Sequence, residues 1–213
     1  MKDVEIIGAP LSNFVRVIRI VAEEKGVPYT LIPAMPHTPE VSALHPLGKI
    51  PVFRHGEVTL CESRAIVAYL DATFPQNKLY PDDAVGAAQV EQWVSMAMTA
   101  FDPCFRPYLG AYFFPGTADG SPDKPRIEAS LPKIEEFLTK LDAAVAKTGH
   151  LVGDRFTLAD VYMMPLLDYL KNLPETGAFI AKLPALSAYI SRHDARPSLV
   201  ATVPPPMPRQ NAA

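Results

Sequence analysis

The sequence predicts a small mixed β-sheet with helices on its faces, followed by an all-helical second half. Three observations point there. Up to Pro75, short β-branched runs alternate with amphipathic stretches. The segment PQNKLYPD, bracketed by prolines, then breaks the pattern as a polar linker at 76–82. Beyond it every periodic stretch has helical spacing.

DVEIIG, residues 3–8, reads as a strand. An amphipathic helix is expected over 13–25, with Phe14, Val17, Ile18 and Val21 on one side and Arg16, Arg19, Glu23 and Glu24 on the other. Ser12 stands at the N-cap position and Gly26 at the stop. A second strand fits 29–32. Pro33, Pro36, Pro39 and Pro46 make 33–48 a loop with at most a short helix. Two more strands fit 52–54 and 58–61, joined by a turn at His55 and Gly56. A helix over 63–74 closes this half, with Ile66, Leu70 and Phe74 on one stripe and Pro75 as the stop. The domains are therefore 1–75, a linker at 76–82, and a helical domain at 83–213.

In the second half a long helix runs from about Asp83 toward Phe101 and continues past Pro103 and Pro107 with bends. A loop is expected at 115–125. Ile127, Leu131, Ile134, Leu138, Leu141 and Val145 then make a core-facing helical stripe. Thr157 and Asp160 have capping-box spacing and open a helix over 158–170, which Pro165 should bend. A last amphipathic segment covers 185–193, and the tail 204–213 has no core-forming pattern.

Hydrophobic residues are 48% of the 213, enough for a packed core. Twenty Lys plus Arg against 23 Asp plus Glu leave a net charge of −3, without the basic excess that phosphate contacts need, so no nucleic-acid partner is expected. Two cysteines without a CxxC, and five histidines without HxxxH pairing, give no reason to expect a disulfide framework or a metal. Cys61 and Cys104 are expected to be buried and inert. No signal-peptide pattern and no run of ~20 apolar residues occurs, so the expectation is a cytoplasmic chain without a membrane partner.

Local strings carry a resemblance. GAPLSNFVRVIRIVAEEKGVPYTL, with Ser12, Arg16 and Val17 in S-x-x-x-R-V, resembles the first βα unit of serine-type cytosolic glutathione transferases. HPLGKIPV resembles that family's loop before its cis-proline, and CESRAIVAYL its Glu-Ser glutathione motif. LVGDRFTLADVYMMPLLDYL resembles its capping-box helix, and ARPS its usual ending. The five strings stand in order over roughly residues 4–200. The phi and bacterial phi- or theta-like branches fit best. The zeta branch has a cysteine beside the serine, where this chain has Asn13. The resemblance implies a thioredoxin-like α/β domain, then a helical-bundle domain carrying much of the electrophile pocket.

It also implies a chemistry. Glutathione, the co-substrate, must react as a thiolate, and a hydroxyl donating to its sulfur at a helix start favours the charged form. Ser12 is the candidate for that role, with Asn13 as a second donor. Read locally, the pattern favours a plain helix cap at Ser12; the resemblance favours the donor. The resemblance makes the Ile50–Pro51 peptide cis, with the backbone of Ile50 facing the cysteinyl part of glutathione. Glu62 and Ser63, just before a helix, are candidates for the γ-glutamyl end, against the reading of an ordinary cap. Lys49 and His37 are candidates for the glycyl carboxylate.

The second substrate should be a small hydrophobic electrophile, with Leu11, Phe14, Met96, Phe105, Tyr108 and Tyr112 as candidate lining. Side chains of this type at helical spacing are more often core. Rival activities are a glutathione-dependent dehalogenase, peroxidase or isomerase on the same fold, or a non-catalytic ligand-binding protein. The family pairs as homodimers, which implies a two-fold contact through 64–69 and 85–93, where Ala65, Ala68, Ala87 and Ala88 would permit close approach.

Overall fold

A computed structural model describes residues 3–206. They form two compact units, one made of residues 3–79 with 194–205, the other of 80–193. The chain passes from one unit to the other between Leu79 and Tyr80. Residues 194–205 depart from the expected domain 83–213, because they cluster with the first unit.

The first unit has strands β1 (Val4–Ile7), β2 (Tyr29–Ile32), β3 (Val52–His55) and β4 (Val58–Cys61) in the order β2-β1-β3-β4. The β1–β2 pair is parallel, as its helical crossover requires; β1–β3 and β3–β4 are antiparallel. Ile7 lies opposite both Ile32 and Val52, and Glu5 opposite Thr30 and Arg54, so these side chains share one sheet face. Helices α1 (Asn13–Glu24) and α3 (Ser63–Thr73) pack together on the other face, over Val4, Ile6 and Phe53. Tyr69 of α3 pins itself there by an edge-on contact with Phe53 and a 2.8 Å hydrogen bond to His55 Nδ1. The buried Lys25 ties α1 to the end of α3, pairing with Asp71 at 2.7 Å and donating to the Phe74 carbonyl at 2.9 Å.

Short α10 (Pro197–Ala201) completes this unit by packing on α1. Arg16, 3% exposed, donates to the Leu199 carbonyl at 3.3 Å, and Arg19 donates to the carbonyls of Ala201 and Thr202. At the other end Glu24 accepts two 2.6 Å bonds from Arg196 and one from Ser198. Cations thus meet the C-terminal end of α10 and an anion its start, the arrangement its dipole favours.

The second unit holds α4 (Ala84–Ala100), α5 (Arg106–Phe113), α6 (Lys124–Val145), α7 (Leu158–Lys171), α8 (Pro174–Ile180) and α9 (Pro184–Asp194). Between α4 and α5 the chain makes a π-helical turn, Phe101–Phe105, in which the Arg106 N–H reaches back to the Phe101 carbonyl. Pro103 has no N–H to offer the helical ladder, which explains why the expected bend takes this form. Along α6 the stripe Ile127, Ile134, Leu138, Leu141 and Val145 is buried, whereas Leu131 is half-exposed and Ser130 is buried beside it. The box at Thr157 and Asp160 opens α7 as expected. Helices α8 and α10 have no signal in the sequence, since seven and five residues are too few to show a period. Of the tail 204–213, residues 207–213 lie outside the described residues. No helix among the described residues is long and apolar enough to cross a membrane.

Candidate active site

The glutathione-site candidates all lie in the first unit. Ser12 is the N-cap of α1, with extended backbone at φ −72°, ψ 127°, and its Oγ accepts a 3.4 Å bond from the Val15 N–H. Capping uses an oxygen lone pair and leaves the hydroxyl proton unspent. Among the described residues the Ser12 hydroxyl donates no hydrogen bond. Cap and donor are therefore compatible roles for one hydroxyl. Asn13 follows at 8% exposure, and its buried Oδ1 has no hydrogen-bond partner among the described residues.

His37 and Lys49 are brought close by a tight loop closure. The His37 N–H donates to the Gly48 carbonyl at 2.7 Å, and Lys49 follows Gly48 directly. Gly48 is at φ 63°, and a Cβ there would sit 2.8 Å from His37 Nδ1, so the closure needs glycine twice over. His37 itself takes φ 64°, unusual for a side-chain-bearing residue. Both side chains are exposed. The loop leads into Ile50–Pro51, whose peptide bond is cis, as expected. Ile50 is half-buried and Pro51 buried.

Glu62 joins β4 to α3 in a left-handed conformation, φ 67°, ψ 119°. Such a backbone costs on the order of 1–3 kcal/mol in a residue other than glycine. Glu62 occupies the N-cap position of α3 but gives no side-chain cap bond, and its side chain is 57% exposed. The helix start is thus left to other acceptors, and the carboxylate is turned outward. Ser63, the first residue of α3, is 4% exposed.

Nothing in the sequence singles out His45. It is 3% exposed, and its Nδ1 accepts the Leu47 N–H at 3.0 Å, which puts the ring proton on Nε2. Nε2 lies 3.6 Å from Glu62 Oε1, so a buried histidine faces the exposed carboxylate. Its place in the string HPLGKIPV is the only available signal, and nothing local ties it to Glu62, which stands beyond both β3 and β4.

Cys61 and Cys104 are half-exposed rather than buried. Sitting beside a sheet edge and in the π-helical turn, neither is closed over by a full shell of side chains. Burial, then the Glu62 charge, push the Cys61 thiol up, away from a reactive thiolate.

A cleft of about 680 Å³ lies on the sheet face opposite α1, between the sheet and α2 (Pro39–Ser42). Ile7, Ile32, Met35 and Leu44 line it, with Arg54 at its polar side. None of the glutathione-site candidates lines it.

The electrophile-pocket candidates divide by burial. Leu11, Phe14, Met96 and Tyr112 are half-exposed, whereas Phe105 and Tyr108 are fully buried. Phe105 packs edge-on against Phe137 at 5.2 Å between ring centroids. A ring with no exposed surface packs as core, the alternative that helical spacing had left open.

The second unit also assembles His150, Asp160 and His193, whose donor atoms lie within 4.8 Å of one another. Standing far apart in the sequence, the three form no local motif. Asp160 is already fully engaged: Oδ1 accepts Leu151 N–H at 3.1 Å and Tyr189 OH at 2.9 Å, and Oδ2 accepts the Thr157 N–H at 2.8 Å and hydroxyl at 3.1 Å. Four donors fill the carboxylate's acceptor positions, which suits a structural hub better than a metal ligand.

The family model "Glutathione S-transferase, N-terminal domain" matches residues 6–78, and "Glutathione S-transferase, C-terminal domain" matches 94–197. The chain is 30% identical to glutathione S-transferase 3 of Zea mays, over 100% of both chains. It is 28% identical to glutathione S-transferase GstB of Escherichia coli K12, over 88% of this chain and 91% of that protein. Among solved structures, the theta class glutathione S-transferase of Xanthomonas axonopodis pv. citri, crystallised with glutathione bound, superposes with a TM-score of 0.84. It is 30% identical, over 98% of this chain and 100% of that one.

Proposed function

The chain belongs to the glutathione S-transferase family, and on that premise we propose that Ser12 activates bound glutathione for attack on small hydrophobic electrophiles. The observation that carries this is the Ser12 hydroxyl, which accepts at a helix start and keeps its proton to give. A sulfur placed there would receive one hydrogen bond and the positive end of α1, and both favour the thiolate over the thiol. The thiol proton leaves to solvent. The sulfur lone pair then forms the bond to carbon as the carbon–leaving-group bond breaks and the leaving group departs with its electrons.

The rest of the first unit suits the remainder of the tripeptide. The Ile50 backbone stands at the cis peptide just before β3, where it can pair with the cysteinyl residue like an added strand. The start of α3, uncapped by the Glu62 side chain, suits the γ-glutamyl carboxylate, and Glu62 itself suits the ammonium beside it. His37 and Lys49, joined through the Gly48 closure, suit the glycyl carboxylate.

The test is twofold. Difference ultraviolet absorbance of the glutathione complex should show a thiolate already formed near neutral pH. Turnover of a chromogenic aryl halide should depend on that same ionisation. A bound thiol that ionises no more readily than free glutathione would remove Ser12 from this role.

A further inference from the structure

Two segments of the first unit meet at His45 and Glu62. His45 follows α2, and its backbone is fixed on both sides: its N–H donates to the Val41 carbonyl at 2.8 Å, and its carbonyl accepts the Gly48 N–H at 2.8 Å. The second bond closes a four-residue turn with Pro46 in its second position. Inside that turn the Leu47 N–H donates to His45 Nδ1 at 3.0 Å. The ring therefore presents Nε2–H, and Nε2 lies 3.6 Å from Glu62 Oε1. One residue back on each segment, Cys61 Sγ donates to the Leu44 carbonyl at 3.3 Å, so the two backbones are tied beside the ring.

The Glu62 backbone is left-handed at φ 67°. Glycine would hold that turn without strain, so the turn itself gives no reason for a glutamate. Nor does the helix, since the carboxylate makes no cap bond. Among the described residues no Lys or Arg pairs with it. Its side chain is 57% exposed, and an exposed glutamate samples several rotamers, so a ligand must bear the entropy of fixing one. His45 is 3% exposed and its ring is fixed through Nδ1, so it has no such freedom.

We propose that His45 is a positioning residue for glutathione: its Nε2–H holds Oε1 of Glu62, so that the carboxylate presents Oε2 to the γ-glutamyl ammonium. This rests on the reading that gives Glu62 the ammonium. At 3.6 Å the contact is longer than a hydrogen bond, and a small rotation of the exposed carboxylate closes it as the ligand is held. The same ring orders the loop that ends at Lys49 and Ile50, through the Leu47 N–H. One imidazole thus connects the segment suited to the glycyl and cysteinyl parts with the segment suited to the γ-glutamyl end.

The test compares glutathione with glutaryl-cysteinylglycine, the same peptide without its ammonium, by calorimetry on the folded protein. Wild type should bind glutathione tighter. His45→Asn keeps an acceptor for the Leu47 N–H, because the Asn Oδ1 stands where Nδ1 does, but it ends short of Glu62. The variant should bind glutathione about three- to tenfold more weakly, the worth of one ordinary hydrogen bond, and the deaminated peptide within about twofold of wild type. On a Glu62→Ala background, His45→Asn should have little further effect, because it acts through that carboxylate. Equal weakening of both peptides would make His45 a loop residue only and overturn the proposal, as would unchanged glutathione binding in the variant. Equal binding of the two peptides by wild type is a different failure: it removes the ammonium from Glu62 and overturns the underlying reading together with the proposal. Should His45→Asn not fold, wild type carries the test by NMR. The His45 Nε2–H proton should move downfield on adding glutathione and much less on adding the deaminated peptide. A proton that responds to neither, or to both alike, overturns the proposal.

Discussion

Replacing Ser12 by alanine separates its two roles, because they predict different losses. As a donor to a thiolate, the hydroxyl makes a hydrogen bond to a charged group, worth roughly 1.5–3 kcal/mol. At about 1.4 kcal/mol per pKa unit, its loss should raise the bound thiol by roughly one to two units. Activity near neutral pH should fall about ten- to a hundredfold. Activity should recover at higher pH, where the thiol ionises unaided. As a cap, the same oxygen accepts one backbone N–H at 3.4 Å, longer than the usual range of about 2.7–3.2 Å. Its removal should cost about 1 kcal/mol of stability or less. Both quantities are measurable on one sample, the thiolate by ultraviolet absorbance against pH and the cap by thermal unfolding. The expected variant melts slightly early and titrates one to two units higher. A Ser12→Ala protein that melts early but titrates like the wild type would refute the argument and move the role to Asn13 or to a backbone N–H of α1.

Glu62→Ala and Ser63→Ala should raise KM for glutathione with a smaller change in kcat, since they hold the end of the peptide far from sulfur in ground state and transition state alike. Unchanged affinity in both would show the γ-glutamyl end lies elsewhere. Light scattering at micromolar concentration should give twice the 23.3 kDa chain mass, through a two-fold contact using exposed Ala65, Ala68, Ala88 and Val85; a monomer refutes it. Glu24→Gln should destabilise the protein by about 3 kcal/mol at pH 7, at the low end for a broken buried pair because Arg196 is 32% exposed. The Glu24 carboxyl is held low in the folded chain: burial raises it, but bonds from Arg196 and Ser198 prevail. Its contribution is therefore complete above the unfolded carboxylate value and is lost as pH falls through the lower folded value, so wild type and variant should converge in acid. A gap that stays constant down to pH 2 would contradict this.

Much of the first unit was legible because its signals are local. Four strand runs, a capped amphipathic helix and Pro75 as a stop need only a short window of sequence, and the structure places them close to where the pattern does. Ser12 was legible for the same reason: an N-cap is a local pattern. What escaped depends on residues brought together from afar. His45 reaches Glu62 only once β3 and β4 have paired, and Asp160 gathers Leu151 and Tyr189 only when α7 and α9 pack. The left-handed backbone of Glu62 had no sequence signal at all, since glutamate rarely adopts it. Phe105 and Tyr108 look like pocket lining in the sequence because helical spacing cannot distinguish a face turned to a ligand from one turned to the core.

Helix α1 shows why the remote contacts matter for chemistry. Its start carries Ser12, its middle carries the buried Arg16 and the half-exposed Arg19, and its end carries Glu24. The last three bind α10, a segment remote in the chain, at both of its ends. The backbone N–H of Arg16 donates to the Ser12 carbonyl at 3.0 Å, so the turn that presents the hydroxyl is the turn whose side chain is clamped. A hydrogen bond to sulfur is directional, and a misplacement of ~1 Å can cost about a hundredfold in rate. A helix held only by its apolar face could slide or rotate by that much within its packing. Cations at one end of α10 and an anion at the other resist a slide in either direction, because moving α1 along α10 would weaken both sets of bonds at once. The segment 194–205 therefore belongs with the first unit in function as well as in packing: it fixes the helix on which the proposed thiolate donor stands.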